Sequence, residues 1–224
     1  MKLLLCIITT FNIFAVSVGE VIFTKGDVSV EVGNKKNTRK INKGHKLQLN
    51  EIVVTGKKSL AVIKLKDKST LKVDKNSKMR VSSILKKLTP TKVEISKGAV
   101  FFNIIKKKAV GKKNPVSFKV QTRTAAMGVR GTTFFVSASG KDKNYDTWMC
   151  VKEGIVEAKR HKSTKAVLVK TGEGVKLSRT EKVDNPRPLP WTQGLNWEFN
   201  TQKNIENKVD ISNAYKDILD QDYD

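Results

Sequence analysis

The stretch TAAMGVRGTTFF, residues 124–135, predicts a tight turn between two strand-forming segments. Gly128 and Gly131 flank a valine and an arginine, and β-forming residues follow from Thr132 onward. Glycine permits backbone angles and close approaches that side chains forbid. Between the glycines, Arg130 can donate several hydrogen bonds in a planar fork. We therefore expect Arg130 to lock a corner of the fold, and binding of a carboxylate or phosphate ligand is the alternative.

The sequence around this turn alternates between apolar and polar residues. The pattern runs from Glu20 to Ser178, in segments such as VSVEV, IVVT, TLKV and VLVK, with Gly, Asn, Asp or Lys turns between them. Alternation at every second residue is typical of strands with one buried face. Residues 20–179 are therefore predicted to form an all-β domain, an antiparallel multi-stranded sandwich or an irregular β-roll.

The first 19 residues, MKLLLCIITTFNIFAVSVG, have the features of a signal peptide. One lysine precedes an apolar run, and the small residues Ser17 and Gly19 favour cleavage before Glu20. A lipoprotein signal at Cys6 and a retained membrane anchor are the alternatives. We expect a periplasmic or secreted protein whose mature chain has no transmembrane span.

The composition changes after Ser178. Residues 180–199 contain the proline-rich NPRPLPW and two tryptophans, and are predicted to be a linker. Residues 200–224 are predicted to form a short acidic amphipathic α-helix, capped by Asn200 or Thr201. This helix is expected to pack on its own domain, with binding to a partner as the alternative.

The formal net charge of +23 is distributed unevenly. Residues 181–224 contain nine acidic and five basic residues, so the excess of lysine belongs to the preceding domain. For an exported chain we expect no nucleic-acid partner. An unidentified envelope protein is the expected partner, and anionic envelope polymers such as lipopolysaccharide or cell wall are the alternative.

The sequence predicts no catalytic, cofactor or metal site. His45 and His161 lie in lysine-rich turns and are expected to be solvated, without an Asp, Ser or Cys beside either of them. Cys150, in WMCV, is expected to be a small core residue. Since cleavage would remove Cys6, no internal disulfide is expected.

Four segments, in order, resemble the FecR domain over about residues 20–160: GHKLQLNEIVVTGKKSLAVIKLKDKSTLKV, VEISKGAVFFNI, VQTRTAAMGVRGTTFFV and VKEGIVEAK. The family signature T-P-x-A-x-x-G-V-R-G-T-x-F corresponds here to a structural signature, Gly128, Val129, Arg130, Gly131, Thr132 and Phe134. Two positions differ from the family. Thr122-Arg123 replaces Thr-Pro, and Thr133 replaces a common acidic residue, which implies that Arg130 finds another partner.

The resemblance implies a role in regulation. The iron-transport regulators of this family combine a cytoplasmic anti-sigma segment, a membrane helix and a periplasmic end that contacts an outer-membrane receptor. The present sequence is more similar to stand-alone exported FecR-domain proteins. We therefore expect a non-enzymatic, protein-binding regulatory or scaffolding module of the cell envelope.

Overall fold

The computed structural model describes residues 17–33, 37–84, 89–106, 116–140, 145–179 and 185–209. Within these residues the chain forms sixteen β-strands and one 3-10 turn, Pro190–Gly194. In chain order the strands are β1 (Ser17–Lys25), β2 (Val28–Val32), β3 (Asn37–Lys40), β4 (Lys46–Gln48), β5 (Ile52–Thr55), β6 (Leu60–Leu65), β7 (Thr70–Val73), β8 (Lys78–Ser83), β9 (Thr91–Asn103), β10 (Phe118–Gln121), β11 (Ala125–Val129), β12 (Thr133–Ser139), β13 (Asp146–Glu153), β14 (Ile155–Arg160), β15 (Ala166–Lys170) and β16 (Gly174–Ser178). The prediction of an all-β fold is confirmed.

The strands form two sheets that share the long strand β9. Sheet A has the order β4-β1-β6-β7-β9-β12-β13-β16, and sheet B has the order β3-β2-β5-β8-β9-β10-β11-β14-β15. The first half of β9 pairs with β8 and β10, and the second half pairs with β7 and β12. Among the described strands every pair is antiparallel except β9 with β10. That pair is parallel because the chain leaves β9 in sheet A and returns to sheet B beside the start of β9. This parallel pair is the one departure from the predicted antiparallel arrangement among the described strands.

Alternation along the strands builds one hydrophobic core between the sheets. In β9 and β12, Val100, Phe102, Phe134 and Val136 point into this core and are fully buried. The rings of Phe102 and Phe134 stack with their centroids 4.6 Å apart. Because the two sheets bury their apolar faces against each other, the fold is a sandwich.

The other face of sheet A is covered by residues 185–209, which we call the C-terminal strap. The residues that alternate with the main core, including Phe101, Phe135 and Cys150, form a second cluster with Leu195 of the strap. A third cluster joins Leu60 and Val62 of β6 to Ile205. Sheet A is therefore buried on both faces, so the molecule has three layers where the strap crosses it.

Lys72 of β7 holds the strap on sheet A. Its side chain is fully buried, and its ammonium group donates hydrogen bonds to the backbone carbonyls of Asn196, Glu198 and Ile205. The ammonium also lies 4.2 Å from the centroid of the Phe101 ring. Burial lowers the pKa of Lys72 to about 8, against the opposing attraction of the Asp74 and Glu198 carboxylates. One buried cation therefore fixes three points of the strap.

The C-terminal segments differ from their predicted structures. Residues 185–199, predicted as a linker, pack on sheet A because Leu189 and Leu195 are buried there. Residues 200–209 form a turn and an irregular segment, so the predicted helix does not begin at Asn200 or Thr201. The Asn200 side chain instead accepts a hydrogen bond from the backbone N–H of Gln202 and closes the turn. The rest of the predicted helix, residues 210–224, lies outside the described residues.

The start of strand β1 bears on the predicted cleavage site before Glu20. Strand β1 begins at Ser17, and Val18 is 1% exposed within the main core. Cleavage before Glu20 would therefore remove the first residues of a strand, and the position of cleavage stays a prediction. The part of the chain described by the structure contains no helix with the length and apolar character needed to cross a membrane.

Candidate protein-binding surface

The predicted signature turn lies between β11 and β12, and Gly131 is essential to its shape. Gly131 has φ +60°, a conformation that side chains disfavour. A Cβ atom at this position would lie 2.5 Å from Cβ of Lys106 and 2.9 Å from its Cα. Gly128, in contrast, is an ordinary strand residue whose added Cβ would meet Val116 at 3.4 Å. Gly131 therefore has both the backbone conformation and the close approach that require glycine, whereas Gly128 has neither.

The other signature residues divide between the core and the surface. Val129, Thr132 and Phe134 are buried, and the Thr132 hydroxyl donates a hydrogen bond to the backbone carbonyl of Ile155 at 3.1 Å. Arg130 is half-buried at the turn. The clamping role of its guanidinium stays a prediction.

Three exposed apolar side chains gather around this turn: Ile105 is 42% exposed, Val116 is 39% exposed and Ile155 is 52% exposed. Ile105 precedes the lysine that contacts Gly131, Val116 faces Gly128, and Ile155 receives the hydrogen bond from Thr132. We call this group, together with residues 128–132, the signature corner.

The signature corner combines apolar area with positive charge. Lys106 approaches Gly131 in the turn, and the half-buried Arg130 precedes Gly131 in the chain. Exposed apolar side chains that lie close together are typical of protein contact surfaces. The corner can therefore contact an apolar surface of another protein.

The two departures from the family signature have a structural explanation in part. Arg123, which replaces proline, lies 4.8 Å from the centroid of the Tyr145 ring. Burial raises the pKa of Tyr145, and the charge of Arg123 opposes that rise. Thr133, which replaces an acidic residue, lies directly opposite Glu153 in the β12–β13 ladder. An acidic residue is thus present at this point of the sheet, on the neighbouring strand.

A buried group of threonines fixes the segment that leads into β11. The hydroxyl of Thr147 lies 2.6 Å from that of Thr122 and 2.7 Å from that of Thr124. All three side chains are buried and satisfy one another's hydrogen bonds. This group could not be predicted from the sequence, because Thr147 reaches Thr122 and Thr124 only in the folded chain.

The two histidines are not solvated as expected. Nε2 of His45 lies 3.0 Å from Oε2 of the buried Glu51, whose carboxylate also accepts hydrogen bonds from Arg39 and the backbone N–H of Gln48. Nε2 of His161 lies 3.0 Å from the backbone carbonyl of Thr122. The sequence did not indicate the pairing of His45 with Glu51, because the loop brings the two side chains together. The contacts of both rings tie loops to the domain.

Cys150 is buried, as expected, and packs in the cluster beneath the strap. Burial raises the pKa of its thiol, so the group is protonated at neutral pH. Among the residues that the structure describes, no group of three or more His, Cys, Asp or Glu side chains could hold a metal ion.

The strap and Lys72 are the main features that sequence reasoning missed. Lys72 occupies an outward position in TLKV, which reads as one more solvated lysine. The sequence did contain an indication that sheet A is covered on both faces. Consecutive apolar residues, as in LAVIKL and in the FFV of TFFVSAS, are typical of strands buried on both faces. Such runs require a third layer to cover them.

The chain is similar to known proteins in part of its sequence and in its structure. Residues 51–157 match the family model described as FecR protein. No curated protein shows significant sequence similarity to the chain. Two crystal structures of a candidate anti-sigma factor from Parabacteroides distasonis align with 20% identity and a TM-score of 0.48. The alignment covers 64% of this chain and 64% of each of those chains.

Proposed function

We propose that the protein is an exported, non-enzymatic regulatory module that binds another protein in the cell envelope, because residues 51–157 match the FecR family model. The family match supports a role in signalling. The apolar segment at the N-terminus of the sequence supports export. The partner would receive or transmit the signal.

One observation carries the protein-binding part of this proposal, namely the exposed apolar group at the signature corner. Ile105, Val116 and Ile155 each leave a large fraction of their surface in solvent, although most apolar side chains of the domain are fully buried. Covering such side chains stabilises a complex. The expected partner surface is apolar.

The test compares two substitutions at equally exposed positions. Ile155→Glu introduces a charge into the corner, whereas Val32→Glu does so at a position that is 50% exposed in β2. Each variant, immobilised, is used to capture proteins from an envelope extract of the native host, and bound proteins are quantified by mass spectrometry. We expect at least about a tenfold loss of one specific protein for Ile155→Glu and little change for Val32→Glu.

Other outcomes would contradict the proposal. Equal capture by both variants would exclude the corner as the contact surface. Capture that falls in parallel with rising salt for both variants would favour adhesion to anionic polymers through the lysine-rich faces, because screening weakens such contacts generally.

A further inference from the structure

A cavity of about 410 Å³ opens at the edge of the strap. Its walls are mainly apolar, with Leu189, Pro190 and Trp197 on the strap side and Cys150 on the sheet side. Lys152 and Thr171 provide polar groups around it. A cavity with apolar walls and a few polar groups has the composition of a ligand or peptide site.

The chain beyond the strap begins beside this cavity. Val209, the last described residue, packs with Trp191, Trp197 and Phe199 in the second cluster. Its Cγ2 atom lies 2.9 Å from the position that a Cβ atom on Gly194 would take. The two residues before Gly194 line the cavity. Residues 210–224 therefore continue the chain from a residue that packs against Gly194, next to the cavity wall.

These 15 residues, DISNAYKDILDQDYD, suit the cavity in both length and chemistry. Even with a helical rise of about 1.5 Å per residue they extend roughly 20 Å, enough to reach and cross it. Ile211, Tyr215 and Ile218 have the spacing of one apolar helical face. Five aspartates and one lysine give the segment a charge of −4, opposite to that of the remaining chain.

An unsatisfied donor lies in the same cluster. The indole Nε1 of Trp191 is buried and has no hydrogen-bond acceptor among the residues that the structure describes. Buried indole N–H groups ordinarily have a partner. The acceptor is therefore expected from a part of the chain outside the described residues, and the segment after Val209 is adjacent.

We propose that the cavity is the docking site of the chain's own acidic tail, residues 210–224, with Tyr215 and Ile218 seated against the apolar walls. An aspartate of the tail then faces Lys152, and a tail oxygen accepts the hydrogen bond of Trp191. Docking fastens the free end of the strap. The inference is independent of the function proposed for the signature corner.

All the tryptophans of the protein report on this region, which makes the test direct. The rings of Trp148 and Trp191 lie 6.2 Å apart, and Trp197 lines the cavity. Indole N–H signals are recorded by NMR for the full chain and for a Tyr215→Ser/Ile218→Ser variant. We expect the Trp191 and Trp197 signals to shift in the variant, with loss of exchange protection at Trp191. Asn213→Ser, a polar change on the opposite helical face, should leave them in place.

Two results would overturn the proposal. Indole signals that are the same in the wild type and in the double variant would show that the tail does not reach the cavity. Signals that shift on dilution of the wild type, together with a dimer in sedimentation equilibrium, would show that a second copy supplies the tail. Circular dichroism of each variant checks that the β-fold is unchanged.

Discussion

Lys72 shows how one residue can hold a layer of the fold. A buried ammonium is costly unless it is compensated, and here three carbonyls and an aromatic face compensate it. Replacement by an apolar residue of similar length leaves the three carbonyls without their donor. The strap is therefore expected to depend on this side chain more than on its exposed ion pairs.

Lys72→Met is expected to lower the free energy of unfolding by about 3 kcal/mol at pH 7, because buried acceptors lose their donor. Urea denaturation followed by tryptophan fluorescence measures the difference. Lys203→Met, which removes an exposed lysine paired with Glu198, is the control and should cost about 0.5 kcal/mol or less. Equal losses for the two variants would contradict the role assigned to Lys72.

The pH dependence of stability should also report on Lys72. Its pKa in the folded protein, about 8, lies below the ordinary value of 10.5, so the unfolded chain binds more protons between these values. Stability contributed at this site therefore rises as the pH increases from 8 to 10.5, and is constant below that window.

We expect the difference in unfolding free energy between wild type and Lys72→Met to grow by about 2 kcal/mol across this window. Comparing the two proteins removes the contributions of the other lysines, which titrate in both. Urea titrations at half-unit pH steps provide the measurement. Parallel stability curves would show that Lys72 keeps an ordinary pKa.

The signature turn offers a second test at the residue scale. Gly131→Ala combines an unfavourable φ with a clash against the Lys106 backbone, and should cost about 2–3 kcal/mol. Gly33→Ala has a similar φ of +68° but no described atom within 4 Å, and should cost about 1 kcal/mol. Thermal unfolding of both variants measures the difference. If Gly131→Ala destabilises the protein no more than Gly33→Ala, the close approach of Lys106 does not contribute to the requirement for glycine.

Among the elements, the strap has the clearest consequence for stability. Deleting residues 185–224 uncovers Leu60, Val62, Phe101 and Phe135 on sheet A. We expect the deleted protein to bind the dye ANS and to aggregate, because a large apolar face becomes exposed. Deleting only residues 210–224 keeps the strap and should leave sheet A covered. Similar dye binding by both proteins would contradict the assignment of the strap as a third layer.

The strands were predictable from sequence to a larger extent than the strap. Runs such as VSVEV and IVVT alternate regularly, so their buried faces follow from the period alone. The strap has no period, because its prolines and asparagines form turns whose position depends on sheet A. The apolar spacing after Asn200 favoured a helix, but in residues 200–209 contacts with sheet A outweigh that local preference.

The candidate site was predictable in part. The glycine and arginine of the signature turn are adjacent in sequence, so the turn and the special φ of Gly131 followed from local chemistry. Ile105, Val116 and Ile155 are far apart in sequence and approach the turn only through the pairing of β9 with β12, β10 with β11 and β11 with β14. The structure was therefore needed to show that these three side chains are exposed near the turn.

At the scale of the whole molecule, strand β9 makes the two sheets one unit, and the strap adds a layer on the side of sheet A. The signature corner remains uncovered by the strap clusters, which contain none of its apolar residues. We propose that this corner is the surface through which the protein binds its partner.

Site-specific photo-crosslinking in the native host tests this claim most directly. A photoreactive phenylalanine analogue is placed at Ile155 in one protein and at Val32 in another, since the two side chains are 52% and 50% exposed. The account predicts a discrete adduct with one envelope protein from position 155 and none from position 32. Adducts of equal yield from both positions, or an adduct from position 32 alone, would contradict it.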